Sequence, residues 1–214
     1  MSMDKAIYNL VRKMNNNPKE IIQLRQVIYD SGIVAAEAND IAASQDLDDV
    51  TGYAGATETD NTLTLAAIAA RIEHPRNVVI TVTAGGGLTG GAKFAVYGTG
   101  LQGVKVREEF TYVTSAAAIT GNVPFLTVDR VSVWGCEGTL TTDDVVTVGV
   151  GAKIGLPRGL DEEVVDIIKE RFNGVEIAPS GTLNRQYGTY TPASTLDGSK
   201  ALELWYTTKK VLTW

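Results

Sequence analysis

The sequence predicts an α+β chain: a mostly antiparallel β-sandwich with a helical N-terminal arm and one inserted helix. Three observations carry that expectation. From Leu63 onward, apolar residues recur at every second position in short Val/Thr-rich runs separated by glycine, as half-buried strands do. Before residue 44 they recur every three or four positions, the period of an amphipathic helix. Residues 161–172 combine a cap, acids, an apolar stripe and terminal bases.

In the arm, Ile7, Leu10, Val11 and Met14 share one helical face, with Asp4, Lys5, Arg12 and Lys13 opposite. Asn15-Asn16-Asn17-Pro18 interrupts the pattern. Asn17 suits a cap, Pro18 the first turn, and Glu20 the positive end of a second helix. Its stripe is Ile21, Ile22, Leu24, Val27 and Ile28, and Ser31-Gly32 ends it. Residues 33–44 are alanine-rich and read as a third short helix. The expected division is a helical arm at 1–44, a polar linker at 45–61 with four aspartates, and a β-sandwich domain at 62–214.

In the sandwich, Val78, Ile80 and Val82 alternate with Val79, Thr81 and Thr83, and Phe94 and Val96 with Ala95 and Tyr97. Val104, Val106, Glu108, Phe110 and Tyr112 oppose Lys105, Arg107, Glu109 and Thr111. Further strands are expected at 126–134, 145–150 and 201–207. The inserted helix begins with Asp161 as cap, then Glu162 and Glu163. It buries Val164, Val165, Ile168 and Phe172, and stops at Asn173-Gly174 after Lys169 and Arg171.

Composition narrows the partners. Net charge is −6, from 25 acidic and 19 basic residues, which opposes the phosphate neutralisation that nucleic-acid binding requires. No apolar stretch approaches the ~20 residues of a membrane-spanning helix. Met-Ser-Met-Asp-Lys leads into a charged pattern without an apolar signal core, so synthesis in the cytosol is expected. A single cysteine, Cys136, forbids an intrachain disulfide.

Candidate chemistry is sparse. Gly85-Gly86-Gly87-Leu88-Thr89-Gly90 spells the dinucleotide fingerprint, and Gly98-Thr99-Gly100-Leu101-Gln102-Gly103 spells it again. Neither precedes a helical pattern, whose free amides would hold a pyrophosphate, so both read as hairpin turns. His74 is the only histidine, and no Gly-x-Ser-x-Gly elbow accompanies it. Cys136 has no histidine near it in sequence and reads as structural. Glu108 and Glu109, adjacent on a strand, face opposite ways and cannot share a proton. Asp143 and Asp144 fit a turn. Asp46, Asp48 and Asp49 lack the glycine and glutamate of a calcium loop, though a looser acidic site stays open. No Cys/His cluster suits zinc. The expectation is no enzyme, no catalytic residue, no cofactor and no metal. Trp205, Tyr206, Trp214, Tyr187 and Tyr190 read as core and edge packing, or as a subunit interface or sugar platform.

From Leu63 the chain resembles a group of tailed-bacteriophage virion proteins. The likeness rests on Pro75-Arg76-Asn77 opening a Val/Ile/Thr strand and on a hairpin running into Arg107-Glu108-Glu109-Phe110. Phe125-Leu126-Thr127-Val128-Asp129-Arg130-Val131-Ser132-Val133 adds to it, as do Val146-Thr147-Val148-Gly149-Val150-Gly151-Ala152-Lys153-Ile154-Gly155-Leu156-Pro157, Gly188-Thr189-Tyr190-Thr191-Pro192 and Asp197-Gly198. It spans roughly 140 of the 214 residues; the tip Gly100–Gly103 is less polar than the pattern, and residues 1–44 lie outside it. The resemblance implies a β-sandwich virion structural protein, with capsid decoration ahead of a head–tail or tail station. It also implies the virion as location, after synthesis in the host cytoplasm, with the major capsid protein or neighbouring structural subunits as partners. Self-association is expected, with a trimer as its order. Glycine-rich strands suggest close approach by another backbone. The alternative is a carbohydrate- or host-surface-binding module.

Overall fold

The computed structural model describes residues 20–29, 32–33, 35–48, 58, 62–66, 72–114, 118–159 and 161–211. Its strands are β1 (Glu20–Tyr29), β2 (Glu37–Asp46), β3 (Arg76–Thr83), β4 (Ala92–Gly100), β5 (Lys105–Tyr112), β6 (Ala118–Thr120), β7 (Phe125–Trp134), β8 (Val145–Gly155), β9 (Glu162–Phe172), β10 (Val175–Ile177), β11 (Thr182–Asn184), β12 (Thr189–Thr191) and β13 (Leu202–Val211). The fold is almost entirely antiparallel β with curled sheets. Among the described residues the only helical element is a 3-10 turn at Leu101–Gly103. For the described residues the α+β expectation, with arm helices at 18–31 and 33–44 and an inserted helix at 161–172, is therefore corrected to all-β. Residues 1–19, including the first expected helix, lie outside the described residues, as does most of the expected 45–61 linker.

The chain divides into two compact units, Ala36–Gly155 and the segments on either side of it. In the central unit, β8 pairs with β2 and β3, β3 with β6, and β4 lies between β5 and β7. The expected alternation holds here. Val78, Ile80, Val82, Phe94, Val96, Phe110, Tyr112, Val131, Val133, Val146 and Val148 line one core. Burying a side chain of this size is worth about 1.5–3 kcal/mol, so this shared core outweighs local preferences. Within the 33–44 segment read as an alanine-rich helix, residues 37–44 belong to β2 instead. Ile41 and Ala42 are buried there, and Ala42 pairs with Val148. Tertiary pairing overrides alanine's helical propensity.

Two glycines show whose backbone approaches the glycine-rich strands. A Cβ on Gly149 would stand 1.8 Å from the Glu37 carbonyl oxygen, and one on Gly98 would stand 1.9 Å from that of Thr127. The approaching backbone is the chain's own, so these glycines do not call for a foreign partner.

In the second unit the sheet order is β1-β13-β9-β10, and β11 pairs with β12. Residues 162–172 form a strand paired with β13 and β10, and two β-bulges disguise its pattern. Against β13, Lys169 pairs with Trp205 and Ile167 with Tyr206, leaving Ile168 as an extra residue. Asp166 then pairs with Thr207 and Val164 with Thr208, leaving Val165 extra. Each bulge adds one residue to a two-residue repeat, so the buried positions are Val164, Ile167 and Glu170. Spacing by three resembles one face of a helix. Asn173-Gly174, read as a helix stop, is a two-residue hairpin turn with φ 52 and 77, closing Phe172 against Val175. Asn-Gly suits that turn because both of its residues take positive φ.

β1 replaces the second expected helix. Its ten residues pair one for one with β13, from Glu20 opposite Val211 to Tyr29 opposite Leu202. Ile22 and Tyr29 are buried, whereas Ile21, Leu24 and Ile28 remain 38%, 42% and 50% exposed. Apolar residues on both faces of an edge strand break the two-residue period.

Candidate functional site

The glycine loop after β3 is the nearest thing to a ligand cradle in the sequence, and the protein fills it with its own carboxylate. Asp144, fully buried, accepts hydrogen bonds on Oδ1 from the amides of Gly85 (2.8 Å) and Leu88 (3.0 Å). Its Oδ2 accepts from the Thr141 amide (2.8 Å) and hydroxyl (3.0 Å). Burial alone would raise this carboxyl's pKa, but these donors outweigh it and hold the pKa below the ordinary value. On the loop's far side, the Glu137 carbonyl accepts from the amides of Thr89 and Gly90. The amides of Gly85, Leu88, Thr89 and Gly90 are thus satisfied internally, and β4 follows the loop rather than a helix. The second glycine run is the β4–β5 hairpin, turning through Gln102 (φ 62) and Gly103 (φ 75).

The other candidates lie apart or are committed to structure. Glu108 accepts from the amides of Asn122 (2.6 Å) and Val123 (3.2 Å), near Lys153. Glu109, on the opposite face, pairs with Arg107 at 2.5 Å. Burial, and then the Asp144 charge, push the buried Cys136 thiol up to about 11, so it stays protonated and weakly nucleophilic. His74 stands just before β3. Its pKa is lowered by burial, with Glu73 opposing and Arg76 adding to the shift. Asp46 ends β2, Asp48 follows it, Asp143 is exposed beside Asp144, and Asp49 lies outside the described residues. Among the described residues no group of three or more His, Cys, Asp or Glu is placed to hold a metal ion.

A surface cluster appears that one-dimensional patterns miss. On the outer face of β4, β5 and β7, the cross-strand register sets Tyr97 opposite both Arg107 and Arg130. The guanidinium carbons lie 5.2 and 4.1 Å from the ring centroid. Tyr97 Oη donates to Glu58 Oε1 at 2.5 Å, while Arg107 donates to Tyr97 Oη and to Glu58, each at 2.8 Å. Glu58 and Glu109 together balance Arg107 and Arg130, which makes the cluster a brace on the sheet surface. The signal that could have found it is register rather than spacing, because its strand residues are aligned only once the strands pair.

The aromatics divide in the same way. Tyr206 is buried, and its hydroxyl donates to the Pro157 carbonyl at 2.6 Å. Tyr190 is buried and donates to Glu170 at 2.6 Å. Trp205 stands on the other face of β13, with Lys169 and Arg171 each 5.1 Å from its ring. Both cations lie over the ring on which a sugar would stack. Tyr187 is half-buried in the turn between β11 and β12; Trp214 lies outside the described residues. No helix among the described residues is long and apolar enough to cross a membrane. Comparisons with protein-family models, curated proteins and solved structures find no match for this chain.

Proposed function

We propose that the chain is a non-catalytic structural subunit of a bacteriophage virion, with capsid decoration as its first assignment. One observation supports a structural role above the rest: the reactive-looking groups are used to build the fold. Asp144 closes the glycine loop, Glu108 binds backbone amides, and Cys136 is a buried neutral thiol. The phage assignment rests on the motif order from Pro75 to Gly198. Its partners would be the major capsid protein or neighbouring structural subunits. The carbohydrate-binding alternative gains nothing from Trp205, whose ring carries two cations.

The test is particle composition. Particles produced from the genome that encodes this chain are purified by density gradient and analysed by quantitative mass spectrometry. The chain is expected in many copies per particle, in fixed ratio to the shell protein. Its absence from intact particles would overturn the assignment.

A further inference from the structure

We propose that β1 is a self-pairing edge, through which two copies of the chain join antiparallel about a two-fold axis at Gln26, merging their β1-β13-β9-β10 sheets into one. Among the described strands β1 pairs only with β13, and it does so for ten residues without a register shift. Among the described residues its outer edge is therefore a long row of outward backbone groups. Proteins usually blunt such edges with lysine, proline, bulges or shortness. The other end of this sheet, β10, is three residues long, and the edge strand β5 carries Lys105, Arg107, Glu108 and Glu109. β1 has no lysine, proline or bulge. It also carries three of the six exposed large hydrophobic residues among the described ones, namely Ile21, Leu24 and Ile28.

The sequence of β1 selects a second copy as the occupant. A two-fold axis normal to the sheet keeps each side chain on its own face, so residues of equal parity must oppose one another. An axis at Arg25 would set two guanidinium groups face to face. An axis at Leu24 would set Ile28 against Glu20. An axis at Gln26 sets Leu24 against Ile28 of the other copy, twice, with the two Gln26 side chains, each donating to Glu203 of its own chain, between those pairs. On the reverse face, Arg25 then meets Val27 and Gln23 meets Tyr29. This register opposes no like charges and covers the two most exposed apolar side chains of the strand. The chain's net charge is −6, but β1 holds one acid and one base. Both are paired within the molecule, Arg25 with Glu162 and Glu20 with Lys209. An edge of this length gives an interface at the small end of the range, below ~1,200 Å², so the association is expected in the micromolar range.

The experiment uses the full chain in sedimentation equilibrium from 5 to 200 µM. The expected result is a monomer–dimer equilibrium that Leu24→Lys and Ile28→Lys each weaken about tenfold or more; circular dichroism confirms that both variants keep the β fold. Register is read by mild oxidation. Gln26→Cys should form a covalent dimer, whereas Glu20→Cys should not, because its copies lie twelve residues apart, roughly 40 Å at ~3.3 Å per residue. A strict monomer at 200 µM, a trimer, or a dimer untouched by both lysines would overturn the pairing. Equal cross-linking at positions 20 and 26 would overturn the register. None of these outcomes bears on the virion assignment, which particle composition tests separately.

Discussion

Replacing Asp144 with alanine should unfasten the glycine loop of the central unit. The carboxylate receives three backbone amides and one hydroxyl between 2.8 and 3.0 Å, in a site closed to solvent. A buried donor left without its acceptor costs about 1–3 kcal/mol, and bonds to a charged acceptor lie at the upper end. Three stranded amides acting in one cavity are not additive, because relaxation or a water molecule recovers part of the loss. A total of about 3–5 kcal/mol is the reasoned expectation. Asp144→Asn keeps one acceptor oxygen but turns an amide NH₂ toward one pair of donors, so it should cost roughly half as much. The assay is urea denaturation together with hydrogen exchange at the Gly85 and Leu88 amides, which should lose protection first. The pH dependence carries the sign. The folded carboxyl is depressed below its unfolded value of about 3.9. Its contribution is therefore complete above that value and lost as pH falls through the folded pKa. The gap between wild type and Asp144→Asn should narrow as the solution is acidified below pH 4. A loss under ~1 kcal/mol for alanine, or a gap constant from pH 7 to pH 2, would refute the internal-anion reasoning.

Glu170 behaves in the opposite sense: burial raises its pKa despite bonds from the Tyr190 hydroxyl and the Ala193 amide. Its stabilising contribution is present below about pH 4.3 and is lost as pH rises through the folded value. The stability of Glu170→Gln relative to wild type should therefore increase between pH 4 and pH 7, measured by urea melts at each pH; a flat difference would remove the raised carboxyl from the account. Gly149→Ala should destabilise by roughly 1–3 kcal/mol or prevent folding, since its Cβ would sit 1.8 Å from the Glu37 oxygen; a neutral outcome in thermal denaturation would mean that β2 does not cross β8 there. Cys136, pushed up to about 11, should be alkylated about a hundredfold or more slower than a free cysteine at pH 8, and at the ordinary rate in urea; fast native labelling would show an accessible thiolate.

The sequence by itself determined the strands whose two faces differ in environment. Val78 to Thr83, Phe94 to Tyr97 and Val145 to Val150 alternate because one face meets a core and the other does not. That contrast is written residue by residue. It also determined that neither glycine run opens a helix, because a strand pattern follows each of them, but not that Gly98–Gly100 belong to β4 or that the first run joins two strands that do not pair with each other. Sequence spacing could not reveal what depends on a neighbouring strand. In β9, the extra residues Val165 and Ile168 exist only relative to β13, and by moving the buried positions to every third residue they imitate a helix. In β1, position at the sheet edge leaves Leu24 and Ile28 uncovered, so its apolar residues follow neither period cleanly. The Tyr97–Arg107–Arg130 brace is likewise a product of register, and the grip of Asp144 on Gly85 spans 59 positions. Local preferences are worth tenths of a kcal/mol per residue, whereas pairing and burial act across the whole chain. Tertiary contacts therefore decided what helix and strand spacing alone left ambiguous.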